Sequence, residues 1–125
     1  MAAKKILIVD DEEDVRLFLG DFLSERDLQV STAASGEEAL QKMEKSPADV
    51  VLLDIMMPGI DGLECLKLIR EKYPKTAVIM LTALKDEARI AKANKLGALN
   101  YIIKPFSLDY LEKELVKLMN ESPSR

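Results

Sequence analysis

Short apolar runs alternate along the chain with stretches in which apolar residues recur every three or four positions. The runs at Ile6–Val9, Leu28–Thr32, Val50–Leu53, Ala77–Leu81 and Tyr101–Ile103 predict five strands. Most lack polar alternation, the mark of strands covered on both faces, as in a parallel sheet. Between them the helical period takes over. Val15, Phe18, Leu19 and Phe22 form one apolar stripe. Ser35 and Glu38 have capping-box spacing and open a second helix. A third spans about Leu63 to Lys72 and stops short of Pro74. The fourth, Asp86 to Lys95, offers Ala88, Ala91 and Ala93 and little else to anchor it. The fifth begins at Ser107, a plausible N-cap, and carries Leu108, Leu111, Leu115 and Leu118 on one side.

Strict strand–helix alternation implies right-handed crossovers and a doubly wound α/β fold. For five strands at this length the leading topology is the flavodoxin-like parallel sheet of order 2-1-3-4-5, with five helices. The 125 residues match one domain over 1–125, with a frayed tail at Glu121–Arg125.

Composition narrows the chemistry. Eighteen basic against 22 acidic residues give a net charge of −4, and no Lys/Arg cluster offers a nucleic-acid face. No apolar stretch is long enough for a membrane span, and acids follow the first apolar run at once, unlike a signal peptide. The chain reads as cytoplasmic. The single cysteine, Cys65, excludes an internal disulfide and sits among apolar residues, so it reads as a small buried hydrophobe. Histidine is absent altogether, which removes imidazole bases and imidazole metal ligands.

Ligands of such sheets bind beyond the carboxyl ends of the strands. Asp10 and Asp11 follow the first strand, Asp54 the third, Thr82 the fourth and Lys104 the fifth. Each has a bland reading: Asp11 as a helix cap, Thr82 as a turn cap, Lys104 as a solvated charge. Three carboxylates meeting in one crevice repel one another and call for a cation. All-oxygen donors with room for water and substrate oxygens suit Mg²⁺. A carboxylate is also a competent nucleophile toward phosphorus.

The segments ILIVDDEED, VVLLDIMMPGIDG, VIMLTA and YIIKPF, in this order and spacing, resemble response-regulator receiver domains from the start to about Leu118. The resemblance implies that Asp54 takes a phosphoryl group from a histidine kinase or histidine phosphotransfer protein. Asp11 and Asp54 would hold Mg²⁺ through carboxylates, Met56 through its carbonyl, and Asp10 largely through water. Thr82, Lys104 and the amide of Ala83 would receive phosphoryl oxygens. Tyr101 matches an aromatic switch position acting with Thr82, with output through the fourth helix, fifth strand and fifth helix. The Lys104–Pro105 bond is expected to be cis. Apolar Met56 and Leu84 imply slow self-dephosphorylation, so the chain reads as a switch rather than an enzyme. A downstream protein target and a phosphorylation-dependent dimer are compatible with this. With no output domain after Leu118, the chain reads as a stand-alone regulator or one excised from a longer protein.

Three rivals carry less. A flavin module needs a glycine- and hydroxyl-rich loop where Asp10–Asp14 stand. An aspartyl-phosphate phosphatase resembles a pattern with a second Asp where Met56 stands. A degenerate receiver, serving only as an interaction module, fits poorly with a complete acid set.

Overall fold

The computed structural model describes residues 4–120, with side chains described through 117. The elements run β1 (Lys4–Val9), α1 (Glu13–Ser24), β2 (Leu28–Ala33), α2 (Gly36–Lys45), β3 (Val50–Leu53), α3 (Gly62–Lys72), β4 (Ala77–Thr82), α4 (Glu87–Leu96), β5 (Asn100–Ile103) and α5 (Leu108–Asn120). All strand pairs are parallel and the order is β2-β1-β3-β4-β5, the doubly wound topology expected. Leu118's side chain and the tail expected at Glu121–Arg125 lie outside the described residues.

The unbroken apolar runs serve two cores. Ile6, Ile8, Val50, Leu52, Ile79, Leu81 and Ile102 point to the face covered by α1 and α5. Leu7, Val9, Val51, Leu53, Val78 and Met80 point to the opposite face, under α2 and α3. Successive strand residues alternate faces, so a strand buried on both must be apolar throughout. β2, at the edge, alternates instead.

Helix starts follow the caps read from sequence. Ser35 Oγ accepts from the Glu38 N–H at 3.1 Å, while the Glu38 carboxylate accepts from the Ala34 N–H at 2.8 Å. Ser107 accepts from the Tyr110 N–H at 3.0 Å. The α1 stripe needs correction. Leu19 and Leu23 are buried, but Phe18 is 57% exposed. At roughly 100° per residue, Phe18 is turned a full step away from Leu19 and off the sheet-facing side. The cap reading of Asp11 also fails. Glu12 occupies the N-cap without a side-chain bond, and it is Asp10 whose carboxylate accepts from the Glu12 N–H, at 2.9 Å. On α4 only Ala93 is buried, in keeping with its alanine-rich face.

Candidate functional site

Four strands deliver polar residues to one rim of the sheet. Asp10 follows β1, Asp54 follows β3, Thr82 ends β4 and Lys104 follows β5. Backbone bonds continue the strand pairing into the rim: Asp54 N–H to Val9 O at 3.0 Å, and Lys104 N–H to Thr82 O at 2.9 Å. Behind Asp54 a Cβ on Gly62 would fall 2.1 Å from the Asp54 carbonyl oxygen, so only glycine lets α3 start this close.

Carboxylate oxygens of Asp10, Asp11 and Asp54 all lie within 4.8 Å of one another. Asp10 and Asp54 are buried and Asp11 is exposed. Lys104 Nζ bridges the buried pair, 2.7 Å from Asp10 Oδ2 and 3.3 Å from Asp54 Oδ2, with Glu12 Oε1 at 3.8 Å. Asp54 Oδ1 accepts from the Met56 N–H at 3.1 Å. Sequence reading missed Arg16, whose guanidinium donates to the Asp10 carbonyl at 2.8 Å. Its spacing along α1 carries no signal until the helix direction is known.

Three carboxylates against one ammonium leave the crevice short of positive charge. Burial pushes the Asp10 carboxyl above its ordinary value of 3.8, and hydrogen bonds from Lys104 and the Glu12 amide only partly pull it back. Burial alone would lower Lys104, but Asp10 and Asp54 more than offset it and hold the ammonium above 10.5. A hard divalent cation fits this donor set: all oxygen, clustered, with an unbalanced negative charge. Beside Asp11 and Met56 opens a cleft of about 450 Å³, walled by Leu84 and Arg89, that leads to the crevice.

The remaining predicted residues are close by but outside the carboxylate cluster. Thr82 is fully buried, and its Oγ1 accepts from the Leu84 N–H at 3.3 Å. Tyr101 is half-buried and donates to the Leu84 carbonyl at 2.6 Å. Ala83 is exposed, and the Met56 side chain is 58% exposed. The Lys104–Pro105 bond is cis. Cys65 is buried as expected.

The family described as the response regulator receiver domain matches residues 6–116. Sporulation initiation phosphotransferase F of Bacillus subtilis is 36% identical over 119 residues, 95% of this chain and 96% of that protein. The transcriptional regulatory protein ResD of the same organism is 44% identical over 103 residues, 82% of this chain. The chain spans 42% of ResD's length and 43% of that of its relative PhoP. Among solved structures, the response regulator protein TrrA of Thermotoga maritima, in complex with Mg²⁺-BeF, superposes with a TM-score of 0.83 at 41% identity, covering 92% of this chain and 98% of that one. Chemotaxis protein CheY4 of Vibrio cholerae gives 0.88 at 34% identity, covering 94% and 99%.

Proposed function

Since the chain belongs to the response regulator receiver domains, phosphorylation-controlled switches that take phosphoryl groups from histidine kinases or phosphotransfer proteins, we propose that Asp54 is its phosphoryl acceptor. The observation that carries this reading is the bridge of Lys104 between Asp10 and Asp54 in a crevice with a third carboxylate.

An Asp54 carboxylate oxygen attacks phosphorus. The donor's P–N bond breaks, a P–O bond forms, and the released imidazole keeps the electron pair. The Met56 N–H holds Asp54 Oδ1 and so fixes the plane of the carboxylate. Lys104, 3.3 Å from Asp54, moves its ammonium onto a phosphoryl oxygen as negative charge accumulates. The Thr82 hydroxyl and the Ala83 N–H donate to other phosphoryl oxygens. Asp11 and Asp54 would hold Mg²⁺ with their carboxylates and Met56 with its carbonyl. Asp10 would act largely through water, since its Oδ1 already accepts from Glu12 and its Oδ2 from Lys104. When bound, Mg²⁺ supplies the positive charge that the crevice and the incoming phosphoryl group lack.

We read the chain as a switch, not an enzyme with a turnover of its own. Met56 and Leu84 line the cleft beside Asp11 and offer no side-chain hydroxyl or amide to orient water, which supports slow self-dephosphorylation. Output passes from Thr82 and Tyr101 to the surface of α4, β5 and α5, where Leu99 and Tyr110 are exposed. A downstream protein, or a second phosphorylated copy, takes that surface. Among the described residues no helix is long and apolar enough to cross a membrane, and the setting we propose is cytoplasmic.

Acetyl phosphate with Mg²⁺ tests the acceptor. The parent should gain one phosphoryl group by intact mass and Asp54→Asn none. A fully modified Asp54→Asn sinks the assignment.

A further inference from the structure

The segment from Ile55 to Asp61 links Asp54 to α3 and carries Met56, whose backbone faces the crevice. Its own bonds are few. The Ile55 carbonyl accepts from Met57 at 3.1 Å and from Gly62 at 2.9 Å, closing a tight turn at the base. The Met56 side chain is 58% exposed, so packing does little to fix its peptide. Among the described residues, the segment makes one hydrogen bond to an element other than β3 and α3. That bond is from the Ile60 N–H to Glu37 Oε2 on α2, at 3.1 Å.

The contact is shaped as well as bonded. Gly59 has φ +81, and a Cβ there would meet Glu37 Oε2 at 2.6 Å and Oε1 at 2.8 Å. The carboxylate therefore lies against the bare backbone of the turn, in space that only a glycine leaves free. One residue earlier on α2, a Cβ on Gly36 would meet Ile60 Cγ1 at 2.6 Å, so the Ile60 side chain packs directly on the bare backbone of Gly36. The adjacent Glu38 is committed to the helix cap through Ala34, which leaves Glu37 as the α2 acid that serves the turn.

We infer that Glu37 is a positioning residue for the chemistry at Asp54: from outside the crevice it fixes the 55–61 turn, and through it the Met56 peptide that orients Asp54. This rests on the reading of Asp54 and Met56 given above. The chain of contacts has three steps. Glu37 holds Ile60, the turn is closed on Ile55, and the Met56 N–H is aimed at Asp54 Oδ1. Groups that orient metal ligands without touching the metal commonly affect affinity strongly.

Glu37→Ala removes the acceptor, while Glu37→Gln keeps an oxygen for Ile60 and loses the charge. Mg²⁺ is titrated calorimetrically into the unphosphorylated chain, and amide exchange is followed at Met56 and Ile60. Glu37→Ala should bind Mg²⁺ about tenfold more weakly, the scale of losing such an orienting partner. Both amides should exchange faster. Phosphorylation by acetyl phosphate should slow at low Mg²⁺ and recover toward the parent rate at saturation, with Glu37→Gln close to the parent throughout. Parent-like Mg²⁺ affinity in a Glu37→Ala protein of lowered Tm would reduce Glu37 to a prop of the fold and overturn the inference. So would a Glu37→Gln protein as impaired as Glu37→Ala, since charge and not the hydrogen bond would then be responsible. A parent that takes no phosphoryl group sinks the reading of Asp54, while the titration still decides for or against Glu37.

Discussion

The hydroxyl of Tyr101 donates to the carbonyl oxygen of Leu84 at 2.6 Å, tying β5 to the turn that leaves β4. The N–H of the same Leu84 is given to the Thr82 hydroxyl at 3.3 Å. One residue thus has both backbone polar groups held by the two side chains assigned to the switch. Drawing the Thr82 hydroxyl toward a phosphoryl group takes a partner from Leu84, and the Tyr101 bond is the remaining tie.

Tyr101→Phe keeps the ring and deletes the tie. A hydrogen bond of this kind contributes about 1 kcal/mol net. Tm should fall by roughly 3–5 °C for a chain of this size. Amide exchange should rise around Leu84–Asp86, with phosphoryl uptake at Asp54 unchanged. Burial, and then the charge of Asp86, hold the Tyr101 phenol above its ordinary 10.0. The parent-minus-variant ultraviolet titration should accordingly show a phenol ionising above pH 10. A difference curve centred below that value, or unchanged exchange in the turn, counts against the tie.

Thr82→Ala separates acceptance from transmission. Asp54 keeps Lys104 and Met56 and should still take phosphate. The parent's exchange response is expected mainly between Leu84 and Tyr110, because α4 buries only Ala93 and moves at low cost. In Thr82→Ala much of that response should vanish. An equal response in both proteins rules out this route.

The site was legible from sequence because strand ends are legible. Once five apolar runs in a parallel order are accepted, the residue after each run must lie on one rim, and Asp10, Asp54, Thr82 and Lys104 follow. How deeply each carboxylate is buried was not legible. Asp10 and Asp11 are adjacent in the chain, yet one is buried against Lys104 and the other exposed, a difference set by where the chain leaves β1. Phe18 was misplaced because a stripe of four apolar residues on a helix is wider than the strip that touches the sheet. The contacts of Leu84 with Thr82 and Tyr101, and of Glu37 with Ile60, join side chains to backbone groups that the turns bring within reach. No residue pattern encodes those meetings.

Burial pushes the Cys65 thiol up to about 12 from an ordinary 9.0. An acid whose pKa is raised by folding favours the folded state while protonated. This contribution is whole below pH 9 and is lost progressively between about 9 and 12 as the unfolded thiol ionises. Native protein should therefore resist thiol reagents at pH 8 and react at the rate of global unfolding. Cys65→Ala should be less stable at neutral pH, from lost packing, yet lose less stability than the parent on going from pH 8 to 10. Rapid labelling of the native chain contradicts the buried placement.

The crevice gives the sharpest test, because its two neighbouring acids should answer oppositely. Asp10 is buried and its carboxyl is raised above 3.8, so its ionised form works against the fold. The penalty is absent below the unfolded pKa and complete once pH passes the folded value. At pH 7 without Mg²⁺, Asp10→Asn should raise Tm above the parent's, with Lys104 still 3.3 Å from Asp54 to pair with it. Asp11 is exposed and makes no hydrogen bond among the described residues, so Asp11→Asn should change the metal-free Tm little. Added Mg²⁺ reverses the ranking. A ligand that binds only the folded chain raises Tm with its concentration, and the parent should gain most. Asp11→Asn loses a carboxylate free to meet the ion and should gain least. Asp10→Asn should fall between, because both Asp10 oxygens are already engaged by Glu12 and Lys104. Thermal melts of the three proteins across a Mg²⁺ series decide the matter. If Asp11→Asn gains as much from Mg²⁺ as the parent, the exposed carboxylate is no ligand. If metal-free Asp10→Asn melts below the parent, the Lys104 bridge outweighs the burial of Asp10.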